Sequence, residues 1–333
     1  MTYADARGHR PRIVVLGASG FVGSAVTAEL ARLPVRLRLV ARGRSPVPKD
    51  PVADVEVCRA DLSLPGRAAE AVGGADAVVH LAASIGGHRS WREADERTER
   101  LNVGLAWDLV AALGRTGDAA RPPTVVFTST IQAGDERPPV PGTYAAQKAA
   151  AERVLLTAHA EGRINATVLR LCTVFGASPL GGATGRGVVS AMAGRALAGQ
   201  PLPLWHDGSV ERDLLDVRDA ASAVAAALGH ADRLGGSAWT VGTGHGHRLD
   251  EVFGAVAEAA AERTGRPRVA VVPVEPPEHA DAGDFRTPDS DPSAFVAATG
   301  WRPRVRLGDG IAAVVGALAR TGPEGAGKGA DRA

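Results

Sequence analysis

Lysine and tyrosine are nearly missing from this chain. Its 333 residues include 38 Lys and Arg, yet only Lys49, Lys148 and Lys328 are lysines, and only Tyr3 and Tyr144 are tyrosines. Aromatics make up 4%, too few for a surface on which nucleobases stack. Net charge is +1 with no long block of one sign, so the basic field that would draw nucleic acid or a membrane surface is absent. No run reaches the ~18 continuous apolar residues of a membrane span. The first dozen residues carry no apolar segment of the secretory kind. Two cysteines, Cys58 and Cys172, cannot build a disulfide framework. Each sits in an apolar run and reads as a buried free thiol in a reducing compartment. A cytoplasmic protein is expected, with neither nucleic acid nor membrane as partner.

The apolar share of 45% and charged share of 23% are ordinary for a globular chain, and the length suits one large α/β unit or two lobes. Short β-branched runs at Arg12–Leu16, Val35–Val40, Val55–Arg59, Ala77–Leu81, Thr124–Thr128 and Ala166–Leu171 read as strands. Between them lie helical stretches at Phe21–Leu33, Arg67–Val72, Arg97–Leu113 and Thr143–Ala158. Such alternation predicts a parallel sheet with helices on both faces. Arginines alternate with leucines in the second strand, which suits a place towards the sheet edge. Past Gly176, glycine- and proline-rich connections separate shorter helices at Val188–Leu197, Asp219–Leu228 and Leu249–Thr264, as in a smaller interleaved lobe. Asp216 and Asp219 read as a strand end and a helix N-cap. The Gly-rich, charged tail 322–333 is expected to be disordered.

The first strand runs into Gly17-Ala18-Ser19-Gly20-Phe21-Val22-Gly23 and then a helix. A G-x-x-G-x-x-G between strand and helix is the context that the dinucleotide fingerprint requires. Its glycines permit a tight turn and close backbone approach, so a pyrophosphate can rest on free N–H groups at the helix N-terminus. The second strand ends Val40-Ala41-Arg42-Gly43-Arg44-Ser45, without the carboxylate that bonds ribose hydroxyls in NAD sites. Arg42, Arg44 and Ser45 suit a 2′-phosphate instead, so NADPH is the expected cofactor, although arginine is also this chain's default cation. Asp61, next to Leu62, either meets the adenine or caps its own turn.

Tyr144-Ala145-Ala146-Gln147-Lys148 sets a phenol and an ammonium on one face of a helix. With so few of each residue, a chance match at this spacing is roughly a one-in-fifty event. A phenol of pKa near ~10 is a poor acid–base group at neutral pH, and a nearby cation lowers it. Lysine can also bond the nicotinamide ribose, a compact role that arginine fits less well. The fifth strand ends Phe127-Thr128-Ser129-Thr130, where a hydroxyl can bond a substrate carbonyl beside the tyrosine; Thr130 is the first choice and Ser129 the second. The fourth strand ends His80-Leu81-Ala82-Ala83-Ser84. Small residues there let the nicotinamide approach the backbone, and His80 reads as a packed structural histidine. His245 and His247 lack a third ligand at metal spacing, so no metal is expected. Trp205-His206 packs near a bound base or in the core.

The Gly17–Gly23 fingerprint, His80–Ala83, Thr130, Tyr144/Lys148 and Arg212-Asp213 together resemble the extended short-chain dehydrogenase/reductases. Within them the match is closest to the NAD(P)-dependent sugar epimerase/dehydratase group, over about residues 12–320. The resemblance implies an α/β fold: a Rossmann-type doubly wound parallel sheet with a smaller interleaved C-terminal substrate lobe. It divides the chain into an NADP-binding part, residues 1–175 with a return near 213–242, and a sugar-nucleotide lobe at 176–212 and 243–321. Thr130, Tyr144 and Lys148 would be catalytic. Ser84, His88, Thr130, Thr173, Arg212 and Arg286 would meet the substrate, Arg212 near its phosphates, and Thr173 stands where the family usually has Asn. The helices Arg97–Leu113 and Thr143–Ala158 would pair into a four-helix bundle in a homodimer.

Departures narrow the choice. Ile131-Gln132 follow Thr130 where 4,6-dehydratases carry Asp-Glu, and no cysteine follows it as in the GDP-fucose type. The acid of NAD-holding 4-epimerases is absent from the second strand. Asp284-Phe285-Arg286, Asp289–Phe295 and Thr299-Gly300-Trp301-Arg302-Pro303 look like the TDP-4-keto-6-deoxyhexose 4-ketoreductases of deoxysugar and antibiotic biosynthesis. The expectation is NADPH-dependent reduction of a TDP-linked C4 ketone. The alternatives are an NAD-dependent nucleotide-sugar 4-epimerase and an NADPH-binding sensor or scaffold.

Overall fold

Runs of Val, Ile and Leu closed by glycine turns form strands that are apolar on both sides, and such strands need helices over both faces of their sheet. β1 (Arg12–Leu16) leads into α1 (Phe21–Leu30), β2 (Arg36–Ala41) and β3 (Asp54–Arg59). Next come α2 (Arg67–Val72), β4 (Ala77–His80), α3 (Glu96–Glu99) and α4 (Leu105–Leu113), with a π-helical turn at Arg100–Gly104 between the last two. β5 (Thr124–Thr130), a 3-10 turn at Ile131–Gly134, α5 (Tyr144–Ala160) and β6 (Asn165–Leu171) follow. The second half holds β7 (Thr173–Phe175), α6 (Val188–Leu197), β8 (Leu202–Trp205), β9 (Glu211–Asp216), α7 (Val217–Gly229) and α8 (Ala231–Leu234). It closes with β10 (Ala238–Val241), β11 (Gly246–Arg248), α9 (Leu249–Thr264), β12 (Val271–Val274), α10 (Ser293–Thr299) and α11 (Leu307–Thr321). This computed structural model describes residues 10–84, 96–114, 121–134, 139–181, 187–205, 207–276, 287 and 290–321. His88, His206, Asp284–Arg286 and the 322–333 tail lie outside them.

Seven strands make one sheet in the order β10-β6-β5-β4-β1-β2-β3, every neighbouring pair parallel. This is a Rossmann-type α/β fold. Val15, Val126, Leu215 and Phe295 pack one face against α1, α7 and α10. Val14, Phe127, Leu109 and Leu155 pack the other against α2, α4 and α5. A separate core of Phe175, Val189, Leu204, Phe253 and Val314 joins α6, α9 and α11 to β8. Two small sheets, β11-β9-β7 and β12-β8, complete the chain. β2 lies one place inside the edge; its outward Arg38 pairs with Glu56 of edge strand β3 at 2.9 Å.

Both crossings from the large sheet to the three-stranded one are short. Cys172 alone separates β6 from β7, and its N–H is held by the Val241 carbonyl at 3.0 Å. On the β10 side, the Asp213 carboxylate accepts bonds from the N–H groups of Thr243 and Gly244 and from the Thr243 hydroxyl. Among the described residues, no helix is long and apolar enough to cross a membrane, and no group of His, Cys, Asp and Glu could hold a metal.

Local details depart from expectation. The helix expected at Arg97–Leu113 is broken by the π-helical turn, where the Asn102 side chain bonds to neighbouring elements rather than to solvent. Cys58 is only half-buried, because β3 is the edge strand. Asp216, rather than Asp219, caps α7 by accepting the Arg218 N–H. Asp219 sits in the first turn of the helix, buried, and accepts the N–H groups of Arg304 and Val305 at 3.0 and 2.9 Å. That carboxylate ties the segment before α11 to the large sheet. Asp219→Ala removes the acceptor for both N–H groups, so chemical unfolding should show a loss of about 1–3 kcal/mol.

Candidate active site

The fingerprint turn is fixed by contacts that only glycine allows. Gly17 takes φ +88°, its N–H is held by the Val40 carbonyl at 2.8 Å, and a Cβ on it would stand 2.8 Å from the Ala82 nitrogen. A Cβ on Gly23 would come within 2.1 Å of the Gly17 carbonyl oxygen. Gly20 caps α1 in extended conformation with no side-chain acceptor, which leaves the first N–H groups of the helix open to an anion. Ser19, Phe21 and Val22 are half-buried along the same turn, and Leu81, Ala82 and Ala83 follow β4 beside it. Arg42 and Arg44 are exposed, while Ser45 is buried with its Oγ unpartnered among the described residues. Asp61 caps its own turn, accepting the Ser63 hydroxyl at 2.6 Å and the Ser63 N–H at 3.1 Å. Those bonds, ahead of the nearby Arg42 and Arg97, hold its carboxyl below the usual range. Leu62 is buried against the α2 and α4 core. A narrow pocket lined by Arg42, Asp61, Ser63, Ser84, Arg97 and Leu101 joins these cofactor candidates to Ser84.

Thr143 accepts the Ala146 N–H at 3.2 Å, so α5 begins at Tyr144 and carries Lys148 one turn later into the interior. Lys148 is 1% exposed; its Nζ donates to the Thr128 carbonyl at 2.8 Å and lies 4.4 Å from the Phe127 ring centre and 5.6 Å from that of Tyr144. Thr130, half-buried, ends β5, and its Oγ1 accepts a long bond from the Gln132 N–H at 3.4 Å. Ser129 is buried, its hydroxyl unpartnered among the described residues. Strand alternation turns it to the face of Phe127, under α5.

Burial dominates the electrostatics. It pushes Lys148 down to about 7, while the Glu152 carboxylate pulls the other way. Burial raises the Tyr144 phenol, opposite in sense to the lowering expected from a neighbouring ammonium, because Lys148 is itself desolvated and turned towards the Thr128 carbonyl. His80 is completely buried, its ring 4.9 Å from that of Phe127 and both nitrogens unpartnered among the described residues. Desolvation, with Lys148 adding to it, brings His80 down to about 3.

On the small sheet, Thr173 of β7 and Arg212 of β9 lie on paired strands, with Thr173 opposite Leu214. Arg212 donates to the Glu211 carbonyl at 2.8 Å. Trp205, half-buried, ends β8, and His247 lies within β11 opposite Arg212. Thus the cofactor candidates and the Tyr144 group collect at the carboxyl ends of the large sheet, while Thr173 and Arg212 occupy the small one.

Residues 13–242 match the family described as the NAD dependent epimerase/dehydratase family. A UDP-glucose 4-epimerase of Azospirillum brasilense is 30% identical, the match covering 92% of this chain and 91% of the relative. The chain belongs to the NAD-dependent epimerase/dehydratase family. The solved structure of MoeE5 in complex with UDP-glucose and NAD is 27% identical, with TM-score 0.74 over 93% of this chain and 99% of that one. The structure of RMD from Pseudomonas aeruginosa complexed with NADPH shares the fold, at 24% identity and TM-score 0.71 over 92% and 98%.

Four side chains of this epimerase/dehydratase chain escape sequence reasoning. Asn102 accepts the Ser84 N–H at 2.8 Å and donates to the Ser84 carbonyl at 2.7 Å and the Gln147 side chain at 2.6 Å. It thereby links the end of β4 to α5 between Tyr144 and Lys148. Arg170 pairs with buried Glu152 at 2.6 Å. Only Glu152 left a signal, since it stands one further helical turn beyond Lys148.

His80 makes the fold sensitive to acid. Its folded value of about 3 lies below its ordinary 6.5, so the unfolded chain binds the extra proton between those values. The stability tied to neutral His80 is complete above 6.5 and drains as pH falls towards 3. His80→Phe should therefore lose stability less steeply than wild type across that window in acid-unfolding curves; identical slopes would refute the assignment.

Proposed function

We propose that this chain reduces the C4 ketone of a TDP-linked 4-keto-6-deoxyhexose with NADPH. The observation that carries the reading is the end of β2, where Arg42 and Arg44 replace a carboxylate and the buried Ser45 hydroxyl awaits a partner. The open N-terminus of α1 and the Gly17 and Gly23 contacts fit the same dinucleotide. Arg42, Arg44 and Ser45 would hold its 2′-phosphate, and Lys148 its nicotinamide ribose. When bound, NADPH supplies the hydride.

The chain supplies everything else. Thr130 bonds the ketone oxygen, and Tyr144 passes its proton to that oxygen as negative charge develops there. Burial keeps Tyr144 protonated, which suits a reaction that begins with proton donation. Thr173 and Arg212, on the small sheet, take the sugar nucleotide, Arg212 at its phosphates. In this reading the large sheet serves the cofactor and the small sheets the sugar, and α4, with exposed Trp107, and α5 form a homodimer contact. The work belongs in the cytoplasm, in deoxysugar biosynthesis.

A second reading, a UDP-hexose 4-epimerase, rests on the 30% identity to the Azospirillum enzyme across nearly the whole chain. Both readings place hydride and proton transfer at C4. They differ in whether NADPH is consumed and whether Tyr144 starts as acid or base.

An NADPH-absorbance assay with TDP-4-keto-6-deoxysugars, the product read by NMR, separates them. Expected is one NADPH consumed per new C4 hydroxyl, with Tyr144→Phe slowing turnover by about a hundredfold or more in a folded protein. Interconversion of a UDP-hexose pair without net NADPH use would select the epimerase. NADPH binding without turnover on either substrate class would leave a sensor.

A further inference from the structure

The pair of buried Glu152 and half-buried Arg170 has no part in the proposed chemistry, yet Glu152 lies one helical turn beyond Lys148. Tyr144, Lys148 and Glu152 follow one another at four-residue spacing along α5, and all three therefore line one stripe of that helix. Glu152 is 3% exposed. Arg170 of β6 grips it with three bonds: Nε to Oε1 and Oε2, both at 3.1 Å, and Nη2 to Oε2 at 2.6 Å. Strand register sets Arg170 beside Ser129 of β5. The guanidinium has room because residue 134 is glycine; a Cβ there would stand 2.2 Å from Nη1.

A buried ion pair is a weak stabiliser, and apolar residues of similar volume often serve packing as well or better. An alanine- and leucine-rich helix could readily have used them. What they would not provide is a fixed negative charge one turn from a desolvated ammonium. We propose that Glu152, clamped by Arg170, is a positioning residue that keeps the Lys148 ammonium charged and directed at the Thr128 carbonyl beside Tyr144. This rests on the catalytic assignment of Tyr144 and Lys148 for its significance, but not for its test.

Among the described residues, the other groups around Lys148 leave the role to Glu152. From β4 comes His80, which is neutral; from α5, the phenol of Tyr144; from β6, Arg170, already engaged by Glu152. β5 offers a carbonyl and the Phe127 ring. Arg100 and Asp108, on the π-helical turn and α4, pair with each other, and Ile131–Gly134 carries no charge.

The scarcity of lysine makes the test direct. Protein labelled with 13C at lysine Cε has three signals, and the one missing from Lys148→Met is Lys148. Titrated by NMR in the whole protein, that signal should move near pH 7 in wild type. In Glu152→Gln its midpoint should drop by about one pH unit or more, as expected for loss of a close opposite charge. Glu152→Met, an apolar residue of similar volume, removes the same charge and should lower the midpoint as well. A wild-type midpoint in folded Glu152→Gln overturns the proposal. Should that variant not fold, a wild-type midpoint in Glu152→Met overturns it. Because no turnover is read, a shifted midpoint alongside an inactive enzyme would discard the reductase reading and keep this one.

Discussion

Everything in this molecule depends on the parallel register of the large sheet. Leu16 lies beside Val40 and His80, His80 beside Phe127, and Phe127 beside Val168, so β1, β2 and β4 finish nearly level along one edge while β5 and β6 run three residues further. At that edge the backbone must leave the sheet several times in a small space. Gly17 turns against Ala82, Arg42 leaves β2, Ser84 is caught by Asn102, and β5 delivers Ser129 and Thr130. Ligands of open α/β sheets settle at such carboxyl ends because the turns expose backbone N–H groups there. The site is thus a product of strand alignment before any particular side chain is considered.

The interior beneath the edge sets the chemistry. Lys148 enters from α5 into a space of carbonyl, aromatic ring and neutral imidazole, where its charge is expensive to hold. Tyr144 is pushed the other way by the same burial, so the two groups, nearly matched in proton affinity in water, move apart. The phenol keeps its proton more firmly and the amine holds its own less firmly, each drawn towards the uncharged form that burial favours. The fold achieves this by desolvation rather than by simple attraction between the two residues.

Much of this was legible in the sequence for a physical reason. Buried parallel strands are continuous apolar runs, so β1, β4, β5 and β6 stand out from their surroundings. The glycine turn and the Tyr144/Lys148 spacing are local, and local patterns survive in one dimension. What escaped depends on distant partners. Asn102 looks like any helical asparagine until Ser84 and Gln147 close on it. Arg170 looks misplaced in a core strand until Glu152 arrives from α5 and Gly134 leaves the space empty. Asp219 looked like a cap because nothing in the chain announces that residues 304 and 305 return to it.

The two crossings between the large sheet and the small one have a mechanical meaning. With only Cys172 between β6 and β7, and the turn after β10 pinned by Asp213, neither of these crossings has a length of chain that could act as a hinge, and the return from β9 runs through α7 and α8. A Cβ on Gly242 would strike both the Asp213 carboxylate and the Cys172 sulfur at 2.5 Å, so even the space beside the crossing is full. Arg212 and Thr173 are therefore carried at a nearly constant offset from the end of β5, as if on a fixed bracket. Any adaptation of the site then falls to the connecting loops, which can change length or sequence without disturbing the frame that sets the distance between the candidate residues of the two sheets.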